Sequence, residues 1–214
     1  MTEYTELSGM VIKTSPVSEY NKRLVILTAE AGKITAFARG ARKQGNKFMG
    51  NTEPFCFGKF KLLEGRDAYT LVEADISRHF EELRSDYDAT VMASYFLEIA
   101  DYYTRENMEA YEELNLIYAS VLALISGKFD HKLVKSIYEI RSLVIAGEFP
   151  GIPDDRKFLD TTVYTVDRIS TISIHELYTF SVSEEVMDEL EYICKKTMGR
   201  IVDKNFNSTK LMNS

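Results

Sequence analysis

Near Asp75 the apolar residues of this chain change their spacing, from alternation at every second position to recurrence at every third or fourth. A chain that changes period once, and does not change back clearly, builds strands first and helices afterwards, in separate layers. Before the change, five short apolar runs are punctuated by turn residues. Met10 to Lys13 closes at Ser15-Pro16, and Arg23 to Thr28 and Ile34 to Arg39 flank Glu30-Ala31-Gly32, where glycine supplies the positive φ of a three-residue hairpin loop. Phe55 to Leu63 and Ala68 to Ala74 flank Glu64-Gly65-Arg66-Asp67, with Pro54 at the start, where its missing N–H is tolerated.

Five strands in about 75 residues predict a small barrel, with the oligonucleotide-binding (OB) fold and the SH3-like barrel both compatible with that strand count. Beyond Asp75, Phe80, Leu83, Tyr87, Val91, Tyr95, Ile99 and Tyr103 form one apolar stripe along a helix or a broken pair of helices. Leu114 to Ile125 forms another helix, with Gly127 as its C-terminal cap; Asp130 caps a third, whose stripe includes Leu133, Val134, Ile137, Arg141 and Val144. Thr161 to Val166 and Ile169 to Ile174 are rich in β-branched residues around Asp167-Arg168 and predict a small hairpin. Ser183 opens a last helix, with Glu184 and Glu185 in its first turn. The expectation is an α+β chain: a barrel over 1–76, then an α-helical domain over 77–214 with an irregular or hairpin region near 153–179.

Charge divides the chain at the same place. Residues 1–74 carry a net +3 and the remainder a net −10, for −7 overall. Within the first part, residues 33–52 hold Lys33, Arg39, Arg42, Lys43 and Lys47 and no acidic residue. A local cationic stretch on an acidic protein points to a defined polyanion site rather than to general surface attraction. Lys and Arg contacts to phosphates give sequence-independent, salt-sensitive affinity. Arg39, Arg42 and Lys43 form the centre of the candidate polyanion site, with Gly40 letting the backbone approach a bound strand; the resemblance set out below implies that the polyanion is DNA. Lys13, Lys22, Arg23, Lys33, Lys47 and Arg66 join it, although Lys22 and Arg23 alternate across one strand, so only one of them faces a groove. Tyr20, Phe37, Phe48 and Tyr69 are candidate stacking aromatics.

The chain excludes more than it suggests about chemistry. His79, His131 and His175 are scattered, no Cys–His or Ser–His–Asp arrangement can be argued, and no GxxxxGK[ST] loop occurs. No catalytic residue is assigned. Cys56 and Cys194 have no ligand-like neighbours, which supports neither a disulfide framework nor a metal site, and no cofactor is expected. No apolar run is long enough for a membrane span and the first residues lack signal-peptide character, so a cytoplasmic protein is expected.

The run GMVIKTSPVSEYNKRLVILTAEAGKITAFARGARK, followed by PFCFGKFKLLEGRDAYTLVEADI, resembles RecO, a bacterial family of recombination mediators that act with RecF and RecR. ASYFLEIAD and the terminal LYTFSVSEEVMDELEYICKKTMGRIVDKNFNSTKLM continue the likeness, which covers most of the chain. The resemblance implies an N-terminal OB-fold, binding of single- and double-stranded DNA, strand annealing, and help in loading recombinase on DNA coated by single-strand binding protein. It also implies two protein partners, RecR and the acidic, hydrophobic C-terminal tail of single-strand binding protein. A groove for that tail would have a cationic edge, which Lys128, Lys132, Lys135 and Arg141 supply, although Arg141 lies within the apolar stripe and reads equally as a structural residue. Many RecO proteins carry four cysteines with zinc-site spacing in the C-terminal half. Gly147 to Ile193 contains none here, so this resembles a shortened member without that module and zinc is not carried over. The alternatives to a DNA-binding mediator are an adaptor acting through RecR or single-strand binding protein, and a barrel serving RNA.

Overall fold

The computed structural model describes residues 4–212 and divides the chain into two compact units, Met1–Glu81 with Asp101–Leu114, and Glu82–Ala100 with Asn115–Ser214. In the first unit five strands, β1 (Tyr4–Val17), β2 (Asn21–Thr28), β3 (Gly32–Ala38), β4 (Phe57–Leu63) and β5 (Tyr69–Arg78), close into a barrel in the order β1-β2-β3-β5-β4. All neighbours are antiparallel except β3 and β5, which pair in parallel at Ala36–Tyr69 and Phe37–Thr70. This closure is the OB-fold, and it decides against the SH3-like alternative. The inner face carries Leu24, Ile26, Ile34, Ala36, Phe60, Leu62 and Leu71, each buried. Burying each of the Leu, Ile and Phe side chains among them contributes roughly 1.5–3 kcal/mol.

β1 is far longer than its apolar run. It continues through Ser15-Pro16, where Pro16 pairs with Lys22, and it carries a register shift between Val11 and Lys13. The bulge breaks strict alternation: Gly9, Met10, Val11 and Ile12 are all buried in succession. Gly9 lies directly opposite Gly58 of β4, and neither position has room for a side chain. Paired glycines of this kind let a barrel turn a corner.

After the barrel strands, the predicted broken helix is a 3-10 turn over Glu81–Ser85 followed by α1 (Tyr87–Tyr103). Then come α2 (Tyr111–Ile125), α3 (His131–Ile145), α4 (Asp160–Thr171), α5 (Glu184–Ile201) and α6 (Asn207–Met212). Asp130 caps α3 through Lys132 N, and Ser183 caps α5 through Val186 N. Ser183→Ala is expected to lower stability by about 1 kcal/mol, read as a fall in the urea midpoint. Phe96 and Tyr138 stack with centroids 4.0 Å apart, and the Tyr138 hydroxyl donates to the Phe96 carbonyl.

The hairpin predicted over 161–174 is instead helix α4. Its buried residues Thr162, Thr165, Val166 and Ile169 recur at helical spacing, and that single apolar face outweighs the β preference of the individual residues. The hydroxyls that would disfavour a helix bond back one turn: Thr165 to the Thr161 carbonyl and Ser170 to the Val166 carbonyl.

Candidate nucleic-acid interface

Three loops of the barrel matter here: residues 18–20 between β1 and β2, 39–56 between β3 and β4, and 64–68 between β4 and β5. The first turn of the 39–56 loop is fastened to the 18–20 loop by a set of hydrogen bonds. Arg42 N donates to the Tyr20 carbonyl at 2.9 Å, and its guanidinium donates to the carbonyls of Glu19 at 3.1 Å and Ser18 at 3.3 Å. Gly40 N donates to the Asn21 side chain at 2.8 Å. Gly40 takes φ +70°, and a Cβ there would meet the Asn46 amide at 2.9 Å, so glycine suits both the turn and the space. Lys43 lies over the exposed Tyr20 ring, 4.9 Å from its centroid. The Tyr20 phenol is held above its ordinary pKa by its hydrogen bond to Glu19 and, less, by burial.

The result is a preformed cationic turn. Arg39 is exposed, with no side-chain partner among the described residues, and Lys43 has only the Tyr20 ring. Arg42 has its guanidinium engaged with backbone carbonyls, which makes it the residue that positions the turn. Beside the turn, the outward faces of β1, β2 and β3 continue the surface. Arg23 pairs in register with Phe37, and Val25 with Thr35, while Ser15 and Lys13 flank them from β1. Arg23 is exposed, Phe37 is half-buried, and Lys13 is exposed. A half-buried aromatic beside a guanidinium offers a stacking surface for a base.

The structure brings Lys13, Arg23, Arg39, Gly40, Arg42 and Lys43 into one region, and it removes two of the predicted residues. Lys22 donates to Glu53 at 2.5 Å and to Thr52 at 3.4 Å, with its side chain only 12% exposed. Lys33 donates to the backbone carbonyl of Asp101 at 2.6 Å and to its carboxylate at 2.9 Å. The run from 33 to 52 has no acid within it, but the fold brings Asp101 to Lys33, and Lys22, which precedes the run, is met by Glu53. Lys47 lies at the rim, donating to the Val72 carbonyl, and Arg66 is exposed in the 64–68 loop. Of the aromatics, Phe48 belongs to the barrel core and Tyr69 packs against it, leaving Tyr20 and Phe37. Asn21, which braces the turn, carries no sequence signal beyond being an asparagine at a loop-to-strand junction.

On the helical unit the proposed cationic edge is largely neutralised. Arg141 is buried and donates to the carbonyls of Ser170 at 2.5 Å and Ile169 at 3.4 Å, so it satisfies the C-terminal end of α4 and leaves the candidate partner set. Lys135 pairs with buried Glu139 at 2.8 Å, and Lys132 with Glu191 at 3.1 Å. Lys128 and Lys132 border a pocket of about 360 Å³ lined with Phe129, Leu133, Val182 and Met187.

A zinc site of the kind many RecO proteins carry does not fit these residues. Cys56 donates to the Gly50 carbonyl and Cys194 to the Ser136 carbonyl, both buried, and no group of three or more His, Cys, Asp or Glu among the described residues is arranged to hold a metal. No helix among the described residues is long and apolar enough to cross a membrane.

The family model for the N-terminal domain of recombination protein O matches residues 1–80. The DNA repair protein RecO of Acetivibrio thermocellus is 25% identical over 240 residues, covering 97% of this chain and 95% of that protein. That of Clostridium perfringens is 28% identical, covering 98% and 80%. That of Clostridium acetobutylicum is 33% identical over 140 residues, where the match spans 65% of this chain and 56% of the relative. With an OB-fold barrel at the matched end and relatives aligned along nearly its whole length, the chain is similar throughout to DNA repair proteins of the RecO family.

Proposed function

We propose that this chain is a DNA-binding mediator of recombination repair, which binds single- and double-stranded DNA without sequence preference, anneals complementary strands and helps load recombinase on DNA coated by single-strand binding protein. The observation that carries this reading is the exposed cationic turn at Arg39 and Lys43, braced by Arg42 and Asn21 at the mouth of an OB-fold barrel. Cations that meet phosphates release counterions whatever the sequence. A strand gripped by its backbone keeps base edges free for a complement, and local neutralisation lowers the repulsion between two strands. Annealing of this kind breaks no covalent bond and requires no catalytic residue.

Arg39→Ala/Lys43→Ala tests the reading while leaving the Arg42 brace intact. Removing two phosphate contacts is expected to weaken binding of a labelled single strand about tenfold or more at low salt, and to flatten the slope of log K against log salt by about 1.4. Unchanged affinity in a folded variant would move the DNA site off this turn.

RecR and the tail of single-strand binding protein are the proposed protein partners, and an adaptor acting through them is the alternative if DNA is not bound. The pocket beside Lys128 suits an apolar tail, but Asp130, Glu184 and Asp188 share its rim. Lys128 therefore carries the burden of meeting a tail carboxylate. Tail-peptide affinity unaltered in Lys128→Glu would remove this pocket from the proposal.

A further inference from the structure

The outward face of β2 and β3 is not open along its whole length. Three register pairs point outward: Arg23–Phe37, Val25–Thr35 and Leu27–Lys33. The first two are exposed or half-exposed. The third is closed, because Leu27 is fully buried and the Lys33 ammonium is held by Asp101. At the same end residues 105–110 are bonded along the β2–β3 hairpin: Lys33 N to the Arg105 carbonyl, Asn107 N to that of Ala31, and Ala110 N to that of Ala29. Gly32 is the contact point, and a Cβ there would sit 2.2 Å from the Arg105 carbonyl oxygen and 2.3 Å from that of Met108. The segment is thus fixed in place by its backbone.

Its charge is one-sided. Residues 101–113 hold Asp101, Glu106, Glu109, Glu112 and Glu113 against Arg105 alone, whose guanidinium turns back to the carbonyls of Tyr102 and Thr104. Glu106, Glu109 and Glu112 are exposed. The barrel is therefore polarised along β3: cations gather beyond Ala38, and carboxylates beside Gly32, a distance of about 20 Å for six residue steps.

We propose that this carboxylate segment is a stop that sets the length of the nucleic-acid path, with Asp101 as the specificity-determining residue that withholds Lys33 from it. The inference rests on the DNA-binding reading above. A single strand crosses β1, β2 and β3 over the two open rows beside the cationic turn, and its phosphates are turned away from the hairpin end. The barrel then engages a short stretch, at the low end of the roughly 4–16 nucleotides that OB-folds occupy.

The test is anisotropy binding of labelled oligothymidylates of increasing length to the full chain, across a salt series. Asp101→Asn keeps the shape and the backbone carbonyl contact while freeing one positive charge. It is expected to bind longer oligonucleotides about fivefold tighter than the wild type, to steepen the salt slope by about 0.7 for one added phosphate contact, and to lengthen the shortest oligonucleotide that gives full affinity. Glu106→Gln/Glu109→Gln, at exposed positions outside any packed core, is expected to lengthen it in the same direction and serves if Asp101→Asn does not fold. Wild-type binding with the same slope and the same minimal length in these variants overturns the stop while leaving the DNA reading in place. A wild type that binds no oligonucleotide at low salt overturns both.

Discussion

Raising the pH from 8 to 11 is expected to strip several kcal/mol from the stability of the helical unit. Burial pushes the Cys194 thiol well above its ordinary value, with the nearby Glu139 carboxylate adding to the effect. Burial likewise raises the Tyr95 phenol, reinforced by Glu139, and burial raises Tyr178. A group whose folded pKa lies above its unfolded pKa stabilises the fold fully below the unfolded value, and that contribution is lost as pH rises past it. The thiol limb therefore begins near pH 8.5 and falls by about 1.4 kcal/mol per pH unit, with the two tyrosines joining near pH 10. Lys135 acts in the same direction at the top of the range: burial alone would lower its pKa, but the Glu139 carboxylate outweighs it and the net shift is upward. Urea unfolding followed by circular dichroism at successive pH values reads the loss, and Cys194→Ala should abolish the part between pH 8.5 and 10. A urea midpoint that stays flat to pH 11 would mean that these groups are not buried as described.

The barrel has a comparable weak point in its geometry. A Cβ on Gly58 would lie 2.1 Å from the Asp75 carbonyl oxygen and 2.8 Å from the Ile76 Cα, and Gly9, its cross-strand neighbour, is equally confined. Both obstacles are backbone of β5, at a register shift in the β4–β5 pairing, so no side chain can rotate away. Gly58→Ala is expected to cost about 3 kcal/mol and to lower the urea midpoint accordingly. Gly199→Ala is the contrast, because nothing lies within 4 Å of its Cβ in α5 and the change should add about 0.5–1 kcal/mol by helix preference alone. Equal effects of the two substitutions would contradict the packing at the barrel corner.

These two glycines also show where the sequence stops being legible. β2, β3 and the edges of the hairpins could be read because one face of each strand is buried and the other open, which gives alternation. β1 could not, because its bulge puts four buried residues in a row and Pro16 ends no strand there. Thr and Val at 161–166 favour strands one residue at a time and so predict a hairpin, whereas the helical face of α4 emerges only when Ile169 is counted with Thr162, Thr165 and Val166. The cationic turn at 39–43 was visible as composition. Its complement was not: Glu53 and Asp101, which neutralise Lys22 and Lys33, and Asn21, which braces Gly40, reach their partners only through the fold. Arg42 shows the same limit, since its charge was plain and its role in holding the 18–20 loop depended on carbonyls that no sequence displays.

The central claim is that DNA is bound through phosphate contacts at one end of the barrel, and the salt dependence of wild-type binding tests it most directly. Anisotropy of a labelled single strand, titrated from about 20 to 200 mM salt, should give a line of log K against log salt with a slope of about −2 to −3, as expected for three or four contacts. A slope near zero, or no binding at the lowest salt, would contradict it.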